Sequence, residues 1–484
     1  MKLKDLVKGI YPEGLPRRYA SFNVRAVTPD SRFVQKNDMF IAVKGADRDG
    51  HDFIEQAVLK GAQVIVESEN RLKNSDLCIL KVADTKRFLA DASQRFFNYP
   101  SKKIKTIGIT GTNGKTTITY LIESILNAGR KKCGVLGTIN HRLGKKIISS
   151  KNTTPGVIDN QRYLSDMLKN RCQYCVMEVS SHALDQGRVE GIDFKAAVFT
   201  NLTGDHLDYH RNLENYFLAK SRLFTSLSSA ANAVINIDDS YGQRLTRMTK
   251  GKVFTYGLKG QAKIKACRIE LDFRGSAFTI CSPFGEITIR TSLIGRHNVY
   301  NILAAAAVSL ALGIPLKTIK KGIENLKSVP GRLERVSGGQ DFHIFVDYAH
   351  TEDALRNVLS NLRIVSKARI LVVFGCGGDR DRTKRPKMGK AATDLADEAI
   401  ITSDNPRSEN PESIIREIVS GCKKQNYTVM IDRKKAIKEA LSRAQKNDVV
   451  LIAGKGHETY QIFKNKTIHF DDREIVKKYL HAYR

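Results

Sequence analysis

The chain carries a glycine-rich segment whose residue types suit a nucleoside triphosphate. Thr110–Thr117, the phosphate loop, reads Thr-Gly-Thr-Asn-Gly-Lys-Thr-Thr between a short apolar run and a helical run. Its glycines let backbone N–H groups face a phosphate, and the helix start adds a favourable dipole. Lys115 suits the β- and γ-phosphates and Thr116 suits Mg²⁺. The first glycine of the full motif is replaced by Ile109, yet the context predicts ATP or GTP binding rather than an empty turn.

An acidic residue and a lysine are the next candidates for a role in phosphoryl transfer. Glu178 lies near the end of the apolar run Tyr174–Val179, and carboxylates at the carboxyl ends of parallel strands commonly meet the ligand crevice. A capping or ion-pairing carboxylate is the alternative. Lys220 ends the helical stretch Tyr216–Lys220, where its spacing alone predicts an exposed helix lysine.

The segment Asp205–His210 follows another apolar run, Ala196–Thr200, and contains two histidines four residues apart. On a helix, His206 and His210 would share one face, as the zinc-binding pair of a metalloprotease does. The intervening Leu207 stands where that motif has Glu. The residues alone therefore leave open whether His206 binds a metal.

Four polar residues in the second half of the chain suit contacts with a nucleotide. Asn298 and Asn301 begin an alanine-rich helical run and present two amides three residues apart. Such amides read a base edge or cap the helix. Arg332 and Asp347 flank the first predicted strand of the third segment. They suit a phosphate and a ribose hydroxyl, and structural ion pairing is the alternative for both.

Three loops near the carboxyl terminus each leave a predicted strand. They are Gly375–Arg385, Asp404–Arg407 and Gly454–Glu458. The first two contain arginines, whose planar forks bind carboxylates bidentately. A merely basic surface loop is the alternative. All three loops fall at the edge of the sheet where α/β proteins bind ligands.

The elements that must position these residues alternate between strand and helix. The order around the phosphate loop begins a βα unit, and the third segment repeats strand then helix several times. An exception is Lys263–Thr291, which alternates around a turn at Ser282–Gly285 and predicts antiparallel strands. The predicted strands of the third segment are Ile344–Asp347, Ile370–Phe374, Ala399–Thr402, Thr428–Ile431 and Val449–Ala453.

The length of 484 residues fits about three domains. We predict an α/β protein with a small N-terminal α/β domain (1–97), a central P-loop-type ATPase domain with a mostly parallel sheet (98–329) and a C-terminal Rossmann-like α/β domain (330–484). The 41% of hydrophobic residues is enough for buried cores and argues against a mostly disordered chain. There is no apolar run long enough to span a membrane and no apolar core of a secretory signal.

The net charge of +30 invites a nucleic-acid interpretation. Basic residues are nevertheless spread over the whole chain without an aromatic-interleaved block, which favours a basic surface and anionic small substrates. Eight cysteines are too sparse for a disulfide framework, and Cys172 and Cys175 form a CxxC pair without a second pair at zinc spacing. We therefore expect a cytoplasmic protein with reduced thiols.

Taken together, these motifs resemble the Mur ligase family. The likeness spans the chain, from Thr28–Ser31 and Gly45–Asp47 through Asn152–Thr154 and Glu178–Arg188 to the late loops. Each motif is common by itself, but the ordered combination is specific.

The resemblance implies an ATP-dependent ligase that adds meso-2,6-diaminopimelate to a UDP-N-acetylmuramoyl-dipeptide ending in D-glutamate. The γ-carboxylate of that glutamate would attack the ATP γ-phosphate, and the incoming amine would displace phosphate from the acyl phosphate. ATP and Mg²⁺ would be required. The resemblance implies no nucleic-acid or membrane partner, and we expect a monomer.

The resemblance also assigns roles to residues. Lys115, Glu178, His206 and Lys220 would be catalytic, with Lys220 carbamylated, and Thr116, Glu178, His206 and Lys220 would hold magnesium. ATP would contact Gly111, Thr112, Asn113, Gly114, Lys115, Thr116, Thr117, Asn298, Asn301, Arg332 and Asp347. The UDP-sugar peptide would contact Ser31, Asn152, Thr153, Thr154, Ser180, Gln186 and Arg188. Diaminopimelate would contact Arg380, Asp404, Asn405, Pro406, Arg407, Gly454 and Glu458, with Arg407 pairing with the distal carboxylate.

Three rival interpretations remain at this point. A folylpolyglutamate synthase shares a similar phosphate loop but would need a pterin site in place of the Asp404–Arg407 motif. A nucleic-acid-binding ATPase would explain the charge. A non-catalytic scaffold would leave the phosphate loop and Glu178 unexplained.

Overall fold

The computed structural model describes residues 1–45, 48–69, 71 and 77–482, so Ala46 and Asp47 of the early 45–47 motif lie outside the described residues. The chain forms two compact units. The first comprises residues 1–108, 131–197 and 225–231, and the second comprises residues 109–130, 198–224 and 232–484. Both units mix helices with mostly parallel strands, which confirms the predicted α/β class.

The helices of the described chain are α1 (Leu3–Val7), α2 (Ile54–Leu59), α3 (Thr85–Phe96), α4 (Lys115–Ala128), α5 (Val157–Lys169), α6 (Ser181–Asp185), α7 (Leu207–His210), α8 (Leu213–Thr225), α9 (Ser240–Met248), α10 (Arg296–Ala311), α11 (Leu316–Asn325), α12 (Glu352–Val365), α13 (Lys384–Leu395), α14 (Pro411–Val419), α15 (Arg433–Arg443) and α16 (Asp472–Ala482). Of the helices described, none combines the length and apolar character needed to cross a bilayer.

The strands are β1 (Val27–Thr28), β2 (Met39–Ile41), β3 (Val64–Glu67), β4 (Cys78–Lys81), β5 (Lys105–Thr110), β6 (Cys133–Leu136), β7 (Asn140–Leu143), β8 (Lys146–Ser149), β9 (Tyr174–Glu178), β10 (Phe194–Phe199), β11 (Asn232–Asn236), β12 (Lys252–Gly257), β13 (Ile264–Asp272), β14 (Gly275–Ser282), β15 (Gly285–Thr291), β16 (Glu334–Val336), β17 (His343–Asp347), β18 (Ile370–Phe374), β19 (Glu398–Ile401), β20 (Tyr427–Val429), β21 (Val449–Ala453), β22 (Tyr460–Phe463) and β23 (Lys466–His469).

A parallel sheet in the order β1-β2-β3-β4 builds the N-terminal part of the first unit. Successive side chains of a strand point to opposite faces, so Met39 and Ile41 join one hydrophobic core while Phe40 joins another. The first core includes Phe88 and Leu89 of α3, and the second is covered by α2. In the same unit β6 pairs in parallel with β9, and β7 and β8 follow it as an antiparallel hairpin.

The second unit contains a C-terminal sheet in the order β16-β17-β21-β18-β19-β20, parallel except for β16. Strands β18 and β21 are buried along their whole length, as expected of parallel strands covered by helices on both faces. The five predicted strands of this region are present, two with the predicted bounds and three shifted by one or two residues. The predicted antiparallel strands are β13, β14 and β15, with the turn at Ser282–Gly285.

One ion pair is fully buried within the C-terminal domain. Arg433 donates to both carboxylate oxygens of Asp472 at 2.8 and 2.7 Å, and both side chains are 0% exposed. Removing one member of such a pair leaves an uncompensated buried charge. We expect Asp472→Ala to lower the free energy of unfolding by about 3–5 kcal/mol in urea titrations.

The matched control is Asp394→Ala, which removes the partly exposed i,i+4 pair with Lys390 and should change stability by less than about 1 kcal/mol. Equal losses in the two variants would contradict the argument.

Candidate active site

The phosphate loop joins β5 to α4 and depends on two glycines. Gly111 has a φ of +140°, and a Cβ there would lie 1.9 Å from Thr200 Oγ1. Gly114 has a φ of +91°, and a Cβ there would lie 2.4 Å from Asn301 Oδ1. Any larger residue would therefore push the loop off the segments that support it. The close approach also places Asn301, a predicted nucleotide contact, directly against the loop.

Two lysines converge on one carbonyl of this loop. Lys115 Nζ donates to the carbonyls of Gly111 and Thr112, each at 2.8 Å, and Lys220 Nζ donates to the Gly111 carbonyl at 2.9 Å. Lys220 is 1% exposed, so the exposed lysine predicted from spacing alone is wrong. Burial first, and then the nearby Lys115 charge, hold the pKa of Lys220 well below its usual value, while Asp205 opposes the shift. The surroundings of Lys220 therefore favour the uncharged form of its amine more than water does.

Arg332 reaches the phosphate loop from the C-terminal domain. Its guanidinium donates to Thr116 Oγ1 at 3.1 Å and lies 4.7 Å from the ring centroid of Tyr348. Thr116 is itself buried. The structure therefore brings together a cation and a hydroxyl that the sequence places 216 residues apart.

The predicted amide pair is buried at the start of α10. Asn301 Nδ2 donates to Asn298 Oδ1 at 3.0 Å, and Asn298 Nδ2 donates to the Ile294 carbonyl at 2.8 Å. The N-cap of α10 is Gly295, without a side-chain cap, so neither amide caps the helix.

Asp347 ends β17 and is also buried, and burial raises the pKa of its carboxyl group. Its two oxygens accept backbone N–H groups, from Leu333 at 2.6 Å and from Ala349 at 2.8 Å. The carboxylate therefore joins the segment after Arg332 to the end of β17. Within the described part of the chain, Asp347 forms none of the ion pairs that the sequence left open, although the Arg332 charge opposes its pKa shift.

The histidine segment does not present its two histidines on one helix face. His206 precedes α7 in a left-handed conformation with a φ of +54°, whereas His210 ends α7 and is buried with its ring 5.2 Å from that of Tyr216. His206 instead pairs with Asp205, whose carboxylate lies 3.5 Å from His206 Nε2. Burial opposes ionisation of Asp205, but His206 and other nearby cations hold its pKa below the usual value.

Glu178 lies at the end of β9 in the first unit and is 1% exposed. Its Oε1 accepts the Thr138 N–H at 3.0 Å and its Oε2 accepts the Thr138 hydroxyl at 2.9 Å. A Cβ on Gly137 would lie 2.5 Å from Oε1. These contacts hold the buried carboxylate in a tight polar socket.

Most of the predicted UDP-substrate residues form one cluster in the same unit. Thr154 Oγ1 accepts the Ser180 N–H at 3.0 Å, and Arg188 NH1 donates to the Thr154 carbonyl at 3.4 Å. Arg188 also donates twice to Gln186 Oε1. Thr153 adjoins this cluster by a hydrogen bond to Thr138 Oγ1 at 3.1 Å.

The other two predicted UDP-substrate residues have different surroundings. Ser31 donates to Gln56 Oε1 at 2.6 Å beside the N-terminal sheet, and Asn152 is exposed with its carbonyl accepting the Ser150 hydroxyl.

The predicted amino-acid loops come together at the carboxyl ends of β18, β19 and β21. Asn405 donates to Glu458 Oε2 at 2.8 Å, and the buried Lys455 donates to the same oxygen at 3.0 Å. Arg407 adopts a φ of +52° and donates to the Gly378 carbonyl at 2.7 Å.

The remaining members of this predicted set surround that centre. A Cβ on Gly454 would lie 2.8 Å from Asp404 Oδ2, and a Cβ on Gly378 would lie 1.9 Å from the Pro406 carbonyl. Arg380 is exposed and donates to the Asp379 carbonyl.

A buried arginine supports the loop that carries Gly378. Arg385 is 0% exposed and pairs with Glu409 and Glu417 at 2.7 and 2.9 Å. Glu409 in turn accepts the Asp379 N–H at 2.6 Å, and Arg385 donates to the Gly377 carbonyl at 3.3 Å. The loop thus rests on a charged network below it.

The CxxC pair is buried, and burial raises the pKa of both thiols, Cys172 and Cys175. Zinc binds the thiolate, so these environments disfavour a metal site. All eight cysteines lie within the described residues, and none of them forms a disulfide.

The sequence matches three models of one family. They are the Mur ligase family catalytic domain over residues 23–97, the Mur ligase middle domain over 109–309 and the Mur ligase glutamate ligase domain over 331–456. A UDP-N-acetylmuramoyl-L-alanyl-D-glutamate–2,6-diaminopimelate ligase of Clostridium tetani is 45% identical, with 99% of each chain covered. The chain belongs to the Mur ligase family.

Solved structures agree with this membership. A structure of a UDP-N-acetylmuramoyl-L-alanyl-D-glutamate–2,6-diaminopimelate ligase superposes with a TM-score of 0.72 and 33% identity, covering 100% of this chain and 99% of that one. A folylpolyglutamate synthase of Mycobacterium tuberculosis, complexed with ADP and AMPPCP, reaches a TM-score of 0.62 at 17% identity and covers 75% of this chain. That likeness is one of fold alone. This Mur ligase is therefore an ATP-dependent ligase with the predicted three-domain fold.

Sequence reasoning missed several residues of the site. The Thr138 hydroxyl donates to Glu178 and the Thr203 N–H donates to Thr112 Oγ1, but neither residue belongs to a predicted motif. Lys455 lies inside the predicted loop Gly454–Glu458, but no role was predicted for it. Thr203 follows β10, so the rule that ligand-facing residues follow parallel strands would have found it.

Proposed function

We propose that this Mur ligase joins meso-2,6-diaminopimelate to UDP-N-acetylmuramoyl-L-alanyl-D-glutamate at the expense of ATP. The D-glutamate γ-carboxylate oxygen would bond to the γ-phosphorus as ADP leaves. The amine nitrogen of diaminopimelate would then bond to the carbonyl carbon as phosphate leaves with the C–O electron pair, and the amine would lose a proton. The substrate assignment is supported by the relative of Clostridium tetani, a UDP-N-acetylmuramoyl-L-alanyl-D-glutamate–2,6-diaminopimelate ligase that is 45% identical over 99% of this chain.

The observation that carries the reaction class is the phosphate loop with its cations. Lys115 and Arg332 both lie at this loop, where they would neutralise charge on the β- and γ-phosphates. Electrostatic stabilisation and positioning supply most of the catalysis of phosphoryl transfer. The loop N–H groups and the α4 N-terminus would add further donors.

The residues also suit magnesium. Thr116 offers a hydroxyl and Glu178 a buried carboxylate, and hard cations prefer such oxygen ligands. A carbamate on Lys220 would offer another oxygen ligand, and His206 would offer an imidazole nitrogen. Magnesium held there would help to neutralise the negative charge of the phosphates.

The amino acid would lie among the three C-terminal loops. Arg407 would pair with the distal carboxylate of diaminopimelate, and Glu458 would accept an ammonium group. Arg380, Asp404, Asn405, Pro406 and Gly454 would complete the pocket. The exposed Arg380, the partly buried Arg407 and the partly buried Glu458 provide opposite charges on one sheet edge, as a zwitterionic ligand requires.

The test measures phosphate release from the UDP-dipeptide and ATP with diaminopimelate and, separately, with lysine. The proposal expects fast release with diaminopimelate, slow release with lysine, and an amide-linked product detected by mass spectrometry. The proposal would be contradicted if ADP formed only with an unrelated acceptor.

The nucleic-acid alternative is tested by measuring DNA binding over a series of salt concentrations. That alternative requires steep salt dependence together with DNA-stimulated ATPase activity. We propose instead that the enzyme acts as a cytoplasmic monomer on small molecules.

A further inference from the structure

An acidic side chain of the C-terminal domain bonds to the segments that form the phosphate site. Asp353 lies in the first turn of α12. Its Oδ2 accepts Asn113 Nδ2 at 2.8 Å and Thr203 Oγ1 at 2.9 Å. Asn113 belongs to the phosphate loop and Thr203 follows β10. These contacts link residues 240 and 150 positions apart in the chain.

Helix capping does not account for this placement. The α12 N-cap is Thr351, whose side chain accepts the Ala354 N–H. An acidic residue in a first turn is ordinarily explained by the helix dipole, but the Asp353 carboxylate also receives two hydrogen bonds from outside its own helix. Burial raises the pKa of Asp353, and the Thr203 and Asn113 hydrogen bonds oppose that shift.

The two residues that Asp353 holds are themselves tied to the phosphate loop. The Thr203 N–H donates to Thr112 Oγ1 at 3.0 Å, and the Asn113 N–H donates to Asn201 Oδ1 at 3.0 Å. The Thr200 hydroxyl donates to the Asn113 carbonyl at 2.6 Å. Asp353 therefore bonds to two residues that other hydrogen bonds already hold in place at the loop.

A second side chain of the C-terminal domain meets the loop at another point. Arg332 donates to Thr116 Oγ1, at the start of α4, whereas Asp353 contacts Asn113 before that helix. The Arg332 guanidinium suits the negatively charged phosphates of a nucleotide, whereas the Asp353 carboxylate bonds to a neutral amide and a neutral hydroxyl group. The C-terminal domain thus contacts the phosphate loop and its flanking segment through two side chains of opposite charge.

We propose that Asp353 is a positioning residue that seats the C-terminal domain, and with it the loops for the incoming amino acid, on the phosphate loop. The inference rests on the proposed function. Acyl-phosphate formation uses the phosphate loop and the UDP-dipeptide, whereas amide formation also needs the amino-acid loops in place. Loss of the Asp353 contacts should therefore impair the second step more than the first.

The experiment compares Asp353→Asn, which keeps the shape and removes the charge, with the neighbouring control Glu352→Gln, whose side chain bonds to Arg356 on the same helix. Acyl phosphate is trapped with borohydride from enzyme, ATP and UDP-dipeptide, and amide formation is followed with diaminopimelate. For Asp353→Asn we expect amide formation to fall by about tenfold to a hundredfold, with a raised KM for diaminopimelate, since hydrogen bonds to a charged group carry about that factor. Trapped acyl phosphate should stay within about threefold of wild type, and Glu352→Gln should match wild type in both assays.

A double-mutant cycle adds a readout that a merely structural role would not give. Thr203→Val and Asp353→Asn should be non-additive in amide formation, because both remove the same contact. Equal losses in both steps, an additive cycle or wild-type kinetics in Asp353→Asn would each overturn the inference. Wild-type enzyme that forms no amide with diaminopimelate would instead contradict the proposed function.

Discussion

Replacing Lys220 by alanine is expected to reduce ligase activity by about a thousandfold or more, the size of effect seen when a group stabilising transition-state charge is lost. Lys220 is buried against the Gly111 carbonyl of the phosphate loop. Burial and the nearby Lys115 charge lower the pKa of its amine, which favours the unprotonated form, and an unprotonated amine adds to CO₂ to give a carbamate and a proton. The modified side chain would supply an anionic oxygen ligand for the magnesium of the proposed reaction.

Two measurements separate this role from simple packing. Lys220→Arg should be as inactive as Lys220→Ala, because a guanidinium stays protonated and forms no carbamate. Acetate or propionate should partly restore Lys220→Ala, because a small carboxylate fits the space left by the removed side chain. Wild-type enzyme should lose activity in CO₂-depleted buffer and regain it with bicarbonate.

The control for these measurements is Lys252→Ala, which removes an exposed lysine at the start of β12 and should leave activity unchanged. Full activity of Lys220→Arg would refute the carbamate.

Replacing Arg407 by alanine is expected to abolish the preference for diaminopimelate over lysine. The two amino acids differ by one carboxylate, and leaving a buried charged partner unpaired costs roughly 2–5 kcal/mol. At about 1.4 kcal/mol per factor of ten, this corresponds to about 30-fold to several-thousand-fold discrimination. Arg407 is held in an unusual left-handed backbone conformation with its guanidinium against the Gly378 carbonyl, so its fork has a defined direction.

Steady-state kcat/KM with each amino acid measures the effect. Arg407→Lys should retain only part of the preference, because an ammonium group lacks the bidentate fork. Arg416→Ala removes an exposed arginine of α14 and serves as the control, with the wild-type ratio expected. An unchanged ratio in Arg407→Ala would remove Arg407 from the proposed pocket.

Local signals predicted the parts of the site that depend on backbone geometry. The phosphate loop follows from its glycines, its lysine and the change from an apolar strand to an amphipathic helix, and α4 ends before the predicted Gly129. Strands β18 and β21 were predicted with their observed bounds, because fully buried parallel strands form continuous apolar runs. The hairpins β7–β8 and β22–β23 were not predicted, because their strands are short and partly exposed.

Distant contacts explain what the residues alone did not reveal. Lys220 shows no local sign of burial, since its surroundings come from the phosphate loop more than 100 residues away. Asp353 looks like any acidic residue in a first helical turn, and only the fold brings Asn113 to it. The family resemblance named Lys220 as functional, but it did not point to Asp353 or Thr138.

The charged network of Arg385, Glu409 and Glu417 supports a loop of the proposed amino-acid pocket, so the shape of that pocket depends on residues that do not belong to its predicted lining. The Arg385 hydrogen bonds lower the pKa of Glu409 to about 2, so the carboxylate keeps its charge through mild acid and loses it only as the pH falls toward that value. Protein engineers who wish to change the amino-acid specificity can therefore exchange residues of the proposed pocket while this ion-pair network preserves the shape of the loop. Natural substitutions in the network would change the specificity indirectly, because they would alter the loop.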